Sequence, residues 1–198
     1  VQAWCDLSLP QYTSDIVDIG IQQGGIEHAA PDQIRDETME NLKLFMEEDD
    51  WNKVEAAYAL GEDGIWYLDS VNKSALEELD GVFGMPMLML SAMEAQGMDA
   101  ATLQAMLSSG QMTLEQLEAM ADQAMEKYGS RSDMIVEQKA LLFVKEEYAA
   151  MGLDLDQIQM NYLLSTGGKM LGIALLMAVA AILVGLLASR TAAQLGMS

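Results

Sequence analysis

The chain has 198 residues, of which 51% are hydrophobic, and its 31 Asp and Glu against 10 Lys and Arg give a net charge of −21. Such an acidic protein repels a phosphate backbone, which excludes nucleic acid as a partner, and such an apolar chain forms a core, which excludes intrinsic disorder. The length allows one domain, or one domain with a small addition.

Residues 1–25 contain residue types that favour a membrane interface. Trp4 and Tyr12 are of this kind, and Pro10 together with Gly20 predicts a bend or an end of a helix. The stretch before Pro10 is too short to span a bilayer. Two interpretations remain open: the end of a spanning helix cut from a longer protein, or an ordinary exposed terminal strand or helix.

Residues 26–165 show helical periodicity and almost no strand alternation. Pro31 favours the start of a helix. The apolar positions that follow it at helical spacing are Ile34, Leu42, Phe45 and Met46. A second helix is predicted from a capping Asp50 to a terminating Gly61. Its apolar positions are Trp51, Val54 and Tyr58. Residues 61–69 are the one stretch that fits a strand or a structured loop.

Helix-start and helix-stop signals recur along the rest of this region. Ser74 with Glu77, and Thr113 with Gln116, match the capping box. A further short helix is expected after Asp99, with its end near Gly110, and two longer ones in residues 114–128 and 133–151, closed by Gly129 and Gly152. A final helix is expected to start near Asp156 and to run unbroken into the membrane. The fold class predicted for residues 26–165 is all-α.

The last thirty residues differ in composition from the rest. All 31 acids and eight of the ten bases lie in residues 1–168, whereas residues 169–198 hold two bases, Lys169 and Arg190, and no acid. Between these bases, residues 170–189 carry no charge. Twenty helical residues rise about 30 Å, the thickness of the hydrocarbon core of a bilayer. The segment is therefore predicted to be a transmembrane helix.

Small residues recur along this helix at spacings of three or four. We predict that they form a face that packs against other membrane helices, because close backbone approach is a main source of helix association in lipid. This helix-packing face comprises Ala178, Ala181, Gly185 and Ala188.

Sequence patterns for a metal site or a catalytic site are missing. Cys5 is the single cysteine and His28 the single histidine, which excludes a His/Cys zinc site and His-based triads. Residues 47–50 and the pair Asp154 and Asp156 lack the ligand spacing of an EF-hand and fit helix capping and a solvated face better. Nucleophile-elbow, zinc-protease and phosphate-loop motifs are absent as well, so the segment holds no active site.

The 17 methionines are the most unusual feature of the composition. Met85, Met87 and Met89 alternate, and thioethers bind soft Cu(I). Flexible thioethers also fill irregular cores and form adaptable apolar surfaces. The sequence leaves three interpretations open: core packing, which we favour, an apolar contact surface, and a copper site.

Two stretches resemble the permease part of bacterial ABC multidrug exporters. LSLPQYTSDIVDIGIQQGGIE is similar to the end of their first transmembrane helix and the outer loop that follows. GGKMLGIALLMAVAAILVGLLASRTAAQLGM is similar to their second transmembrane helix and the start of an intracellular loop. The resemblance covers residues 4–27 and 150–198. The roughly 140 residues between them depart from the short link of most exporters and resemble only in general character the extracellular insert of a subset from Firmicutes.

The resemblance implies three regions: the end of the first transmembrane helix and its exit loop in 1–25, an acidic extracellular helical domain in 26–165, and the second transmembrane helix in 166–198. It also implies a multi-pass protein of the cell membrane that uses ATP and Mg²⁺, bound outside this segment, to export a drug, lipid or peptide. Its expected partners are membrane lipid, a second identical or different exporter subunit, and the transported substrate.

Two other functions stay open on the residues alone. A helical interaction domain anchored at the cell surface by its C-terminal helix would account for the acids, the methionines and the apolar segment. A methionine-rich copper-handling domain would account for the thioethers. The acidic surface is expected to keep the domain solvated, with recruitment of cations as the alternative role.

Overall fold

The computed structural model describes residues 2–95, 97–98, 100–110, 113, 115–116, 119 and 132–195, which are mostly helical. The helices are α1 (Gln2–Asp15), a π-helix (Ile16–Gln22), α2 (Asp36–Lys43), α3 (Glu48–Ala57), α4 (Lys73–Ala95), α5 (Ala100–Ser108), α6 (Ser132–Ala150) and α7 (Leu155–Leu195). The strands are β1 (Gln33–Arg35), β2 (Tyr58–Leu60) and β3 (Ile65–Leu68). The prediction of a largely helical chain is confirmed, but the all-α class is too strict because of the three strands.

The chain divides into two compact units. The terminal unit comprises Val1–Gly25 and Asp156–Ser198, and the inserted unit comprises Ile26–Leu155.

The three strands form one antiparallel sheet in the order β1-β3-β2. Ile34 in β1 is fully buried and pairs with Trp66 in β3. The prediction that Pro31 starts a helix containing Ile34 is therefore wrong. Helix α2 begins at Asp36, because acids in a first turn favour the positive end of the helix dipole. The strand interpretation of residues 61–69 is confirmed by β3.

Helix α3 begins and ends earlier than predicted. Its N-cap is Glu47, so the expected cap at Asp50 is wrong, and Asp50 lies in the first turn. Tyr58 leaves the helix, has extended backbone angles and starts β2. Its hydroxyl donates a hydrogen bond of 2.8 Å to the carbonyl oxygen of Pro31. Burial of the Tyr58 ring in the sheet thus takes precedence over helical periodicity, and Gly61 does not terminate the helix.

The cap of helix α4 lies two residues before the predicted one. The side-chain oxygen of Asn72 accepts from the backbone N–H of Ala75 at 3.0 Å, so Asn72 does the capping and Ser74 does not. Asn caps a helix as well as Ser does. The predicted partner Glu77 instead lies 3.6 Å from the ammonium of Lys73.

Other predicted helix ends are confirmed. The backbone N–H of Thr113 donates to Oε1 of Gln116 at 3.1 Å, and the N–H of Gln116 donates to Oγ1 of Thr113 at 3.3 Å, which is the reciprocal capping box. Gly152 has a φ of +76° and follows α6, with the N–H of Leu153 donating to the carbonyl oxygen of Tyr148 at 3.0 Å. Asp99, Gly129 and the bulk of the predicted helix in 114–128 lie outside the described residues.

The core of the inserted unit lies where α4 packs along α6 and where α2 and the sheet contact them. The side chains that are fully buried there include Ile34, Met39, Leu42, Val54, Phe83, Met87, Leu103 and Val144. The Tyr58 and Phe83 rings pack in a T-shaped, edge-to-face arrangement with a centroid distance of 5.7 Å.

The terminal unit contains two long helical segments. Helix α1 contains Pro10 and leads directly into the π-helix, which contains Gly20. Of the predicted bend or end of a helix at these residues, the end is therefore wrong. Pro10 lacks a backbone donor, but residues on both of its sides remain helical. Helix α7 runs unbroken for 41 residues, or about 60 Å, which confirms the continuous final helix.

Candidate functional site

One described helical stretch, Leu155–Arg190, is long and apolar enough to cross a membrane. Only 6% of the most apolar part of this helix is buried. The large exposed apolar side chains include Leu171, Leu175, Leu176, Val179, Ile182, Leu183, Val184 and Leu186. A continuous apolar surface of this extent marks an interaction with lipid or with other helices.

The predicted helix-packing face is exposed as well. Its four residues on α7 are all exposed: Ala178, Ala181, Gly185 and Ala188. Within the described part of the chain, and apart from the helix itself, no atom lies within 4 Å of a Cβ built on Gly185. The packing of this face against other helices stays a prediction.

The two segments of the terminal unit meet at a close contact. A Cβ built on Gly20 would lie 2.5 Å from Cδ2 of Leu163, and one built on Gly25 would lie 2.9 Å from the backbone Cα of Gln159. The side-chain amide of Gln159 also donates to the carbonyl oxygen of Gly20 at 2.8 Å. Gly25 lies beside Gln159, and the earlier residue Gly20 lies beside the later residue Leu163. The N-terminal segment and α7 are therefore antiparallel here.

The three alternating methionines do not share one surface. Met87 is fully buried in the core, whereas Met85 and Met89 are half-buried. Residues two apart on a helix lie about 200° apart around its axis, so Met87 faces away from the other two. The arrangement separates the thioether of Met87 from those of Met85 and Met89 and places it in core packing.

Sequence analysis missed two polar pairs in the inserted unit. Nδ1 of His28 lies 2.7 Å from Oδ2 of Asp80, and the backbone N–H of Ala30 donates to Oδ1 of the same carboxylate at 2.9 Å. The hydrogen bond with Asp80 raises the pKa of His28 above its ordinary 6.5. Because 52 residues separate the partners, no local pattern could have linked them.

Because the pKa of His28 is raised in the folded chain, its contribution to stability is complete below pH 6.5 and is lost as the pH rises through the folded value. We therefore expect the free energy of unfolding of the wild-type chain to fall more steeply with pH than that of His28→Gln. Denaturant titrations at pH values from about 6 to about 8 measure this difference. Equal slopes for the two proteins would contradict the prediction.

A second buried cluster joins β1 to α6. The Glu147 side chain is only 4% exposed, and its two oxygens accept from Nε of Arg35 at 2.9 Å and from Nη2 of Arg35 at 2.7 Å. The hydroxyl of Thr38 donates to the same carboxylate at 3.1 Å. Burial alone would raise the pKa of Glu147, but these hydrogen bonds outweigh it and hold the pKa below its ordinary value. The cluster holds elements together and presents no free reactive group.

The acidic stretches noted in the sequence lie at helix starts. Glu48, Asp49 and Asp50 occupy the first turn of α3, and Asp156 occupies the first turn of α7. Across the described residues, no three His, Cys, Asp or Glu side chains are placed to hold one metal ion. Favourable interaction with the helix dipole accounts for these acids.

Comparison with known proteins gives no relative: no family model, no curated protein and no solved structure matches the chain.

Proposed function

We propose that this chain is a segment of an ATP-driven ABC-type exporter of drugs, lipids or peptides in the cell membrane. In this proposal the terminal unit supplies parts of two successive transmembrane helices. The inserted unit is an extracellular module that gates transport or contacts the substrate or a partner. ATP and Mg²⁺ act elsewhere in the full-length protein, which pairs with a second subunit.

The antiparallel contact between the two ends of the chain is the observation that carries this proposal. Gly20 and Gly25 bring the N-terminal segment against Gln159 and Leu163 of α7. Two consecutive spanning helices joined on one side of a membrane meet in this antiparallel way. The contact therefore supports the sequence resemblance of residues 4–27 and 150–198 to adjacent exporter helices.

The polarity along α7 supports the same arrangement. Its first fourteen residues, before Lys169, include polar and charged side chains and rise about 20 Å. The uncharged stretch 170–189 follows, and Arg190 closes it. A helix that leaves a membrane and continues into a soluble region has this order, and no acid of α7 lies in its uncharged stretch.

Accessibility of single cysteines tests the orientation. In full-length protein with its other cysteines replaced by serine, Ser109→Cys at the end of α5 is expected to react with a membrane-impermeant maleimide on intact cells. Gln194→Cys, which follows Arg190 on α7, is expected to react only after permeabilisation. Gel-shift labelling measures both. Labelling of Gln194→Cys but not Ser109→Cys in intact cells would reverse the proposed orientation.

The gene on both sides of the segment tests the export function itself. An upstream spanning helix and a downstream phosphate-loop domain are expected, together with ATP-dependent efflux by the purified full-length protein in vesicles. A membrane protein with no nucleotide-binding domain would favour the anchored interaction domain. Tight Cu(I) binding that Met85→Leu and Met89→Leu abolish would favour copper handling.

A further inference from the structure

The inserted unit contains an apolar cavity of about 380 Å³ beside α4 and α6. Its apolar walls are formed by Ala29, Met85, Val136 and Leu141. This volume lies in the range of sites that hold small organic molecules. The cavity is thus large enough for a ligand of more than a few heavy atoms.

Two glycines one turn apart on α4 shape this cavity. A Cβ built on Gly84 would lie 2.9 Å from Cγ1 of Val136, so Gly84 permits the close approach of α4 and α6. A Cβ built on Gly81 would meet no atom within 4 Å. Gly81 lines the cavity, so the missing side chain at this position leaves space inside it.

The charged groups that line the cavity are all acidic. Glu27, Asp80, Asp133 and Glu137 contribute carboxylates, and no Lys or Arg is among the described lining residues. His28 is bonded to Asp80 and lies 4.0 Å from Glu27, so one imidazole serves both of these carboxylates. The cavity therefore combines an apolar wall with a negative field.

We propose that this cavity binds a small organic cation with an apolar body. The apolar walls would bury the body of such a ligand, and the carboxylates would stabilise its positive charge. An anion of the same shape is repelled by these carboxylates and by the net charge of −21. The proposal concerns the inserted unit alone and does not depend on the export function.

A bare metal ion fits the cavity less well than an organic cation. The described His, Cys, Asp and Glu residues form no group of three that could coordinate one ion. The apolar side chains of Ala29, Val136 and Leu141 offer a metal no ligand atoms but bury hydrocarbon favourably.

Titration of the full chain, in uncharged detergent and with ¹³C-methyl methionine, tests the proposal. The probe is benzyltrimethylammonium, and the matched anion is phenylmethanesulfonate. We expect the cation to shift the methyl signal of Met85, assigned with Met85→Leu, in a saturable way, and the anion to leave it in place. No saturable shift with the cation, or an equal shift with the anion, would overturn the proposal.

Variants locate the site. Gly81→Leu fills the cavity and improves helix propensity, so it should abolish the Met85 response while the buried Met39 signal keeps its position. Glu137→Gln should weaken binding several-fold, and the exposed control Glu55→Gln on α3 should not change it. Unchanged binding in both Gly81→Leu and Glu137→Gln would refute this location. If Gly81→Leu also moves the Met39 signal, the substitution has disturbed the core. The location of the site is then decided by whether Glu137→Gln weakens binding more than Glu55→Gln does.

Discussion

In the proposed exporter, Gly185→Leu is expected to lower the amount of assembled full-length protein and its efflux several-fold, while Leu183→Ile remains close to wild type. At 100° per residue, Ala178, Ala181, Gly185 and Ala188 lie within a sector of about 80° around α7. A leucine at Gly185 would hold apart any helix that packs on this sector. Close backbone approach over small residues is a main source of association in lipid.

The two variants separate packing from other effects. Leucine is a better helix former than glycine and is more apolar, so Gly185→Leu weakens neither the helix nor its preference for lipid. Leu183 lies on the far side of α7 from the small residues, and the change to Ile keeps its volume. Membrane levels by immunoblot and efflux in cells measure the outcome. Wild-type behaviour of Gly185→Leu would show that no helix packs on this face.

Arg35→Met is expected to destabilise the inserted unit by about 2–3 kcal/mol. The change removes both side-chain hydrogen bonds from Arg35 to the carboxylate of Glu147, which is 4% exposed. Breaking a buried ion pair leaves an uncompensated charge in the interior. The loss of stability falls at the low end of the usual range because the Arg35 side chain is 42% exposed. Water can therefore replace part of its interaction with the Glu147 carboxylate.

Denaturant unfolding followed by the fluorescence of Trp51 and Trp66 measures this loss. The matched control is Lys53→Met, which removes an exposed cation from Asp50 and Glu78 and should leave the unfolding midpoint nearly unchanged. Since the pKa of Glu147 is lowered by folding, its pair with Arg35 contributes above the ordinary pKa of 4.5 and is lost as the pH falls through the folded value. The gap between wild type and Arg35→Met should therefore narrow in acid.

Helices were predictable where their ends are specified by neighbouring residues. Thr113 and Gln116 bond each other across three residues, and Gly152 ends α6 through its own positive φ. The length and composition of the apolar run in 170–189 likewise predict a long helix. Each of these signals depends on a few consecutive side chains, so the sequence alone is sufficient to read them.

The strands were not predictable in the same way. β1 has three residues, too few to show alternation, and its central Ile34 also fits a helical spacing. Tyr58 fits the helical pattern of α3 but extends into β2, where its ring packs on Phe83 and its hydroxyl reaches Pro31. Partners 25 and 27 residues away decide the conformation, and no local pattern records them.

The polar contacts of the inserted unit depend on even longer separations. His28 meets Asp80 across 52 residues and Arg35 meets Glu147 across 112 residues. A single sequence shows the residue types but not these pairings. The same holds for the cavity, since Gly81 on α4 and Glu137 on α6 come together only after the helices pack.

The close approach of Gly25 to the backbone of Gln159 has a consequence for how such a protein can evolve. The chain leaves the antiparallel pair and returns to it at neighbouring points, so the intervening residues bridge almost no distance. Loop-closure entropy rises only slowly with length, and insertions with adjacent ends are well tolerated. We therefore expect that a single genetic event can add, exchange or delete the inserted unit while the helix pair keeps its contacts.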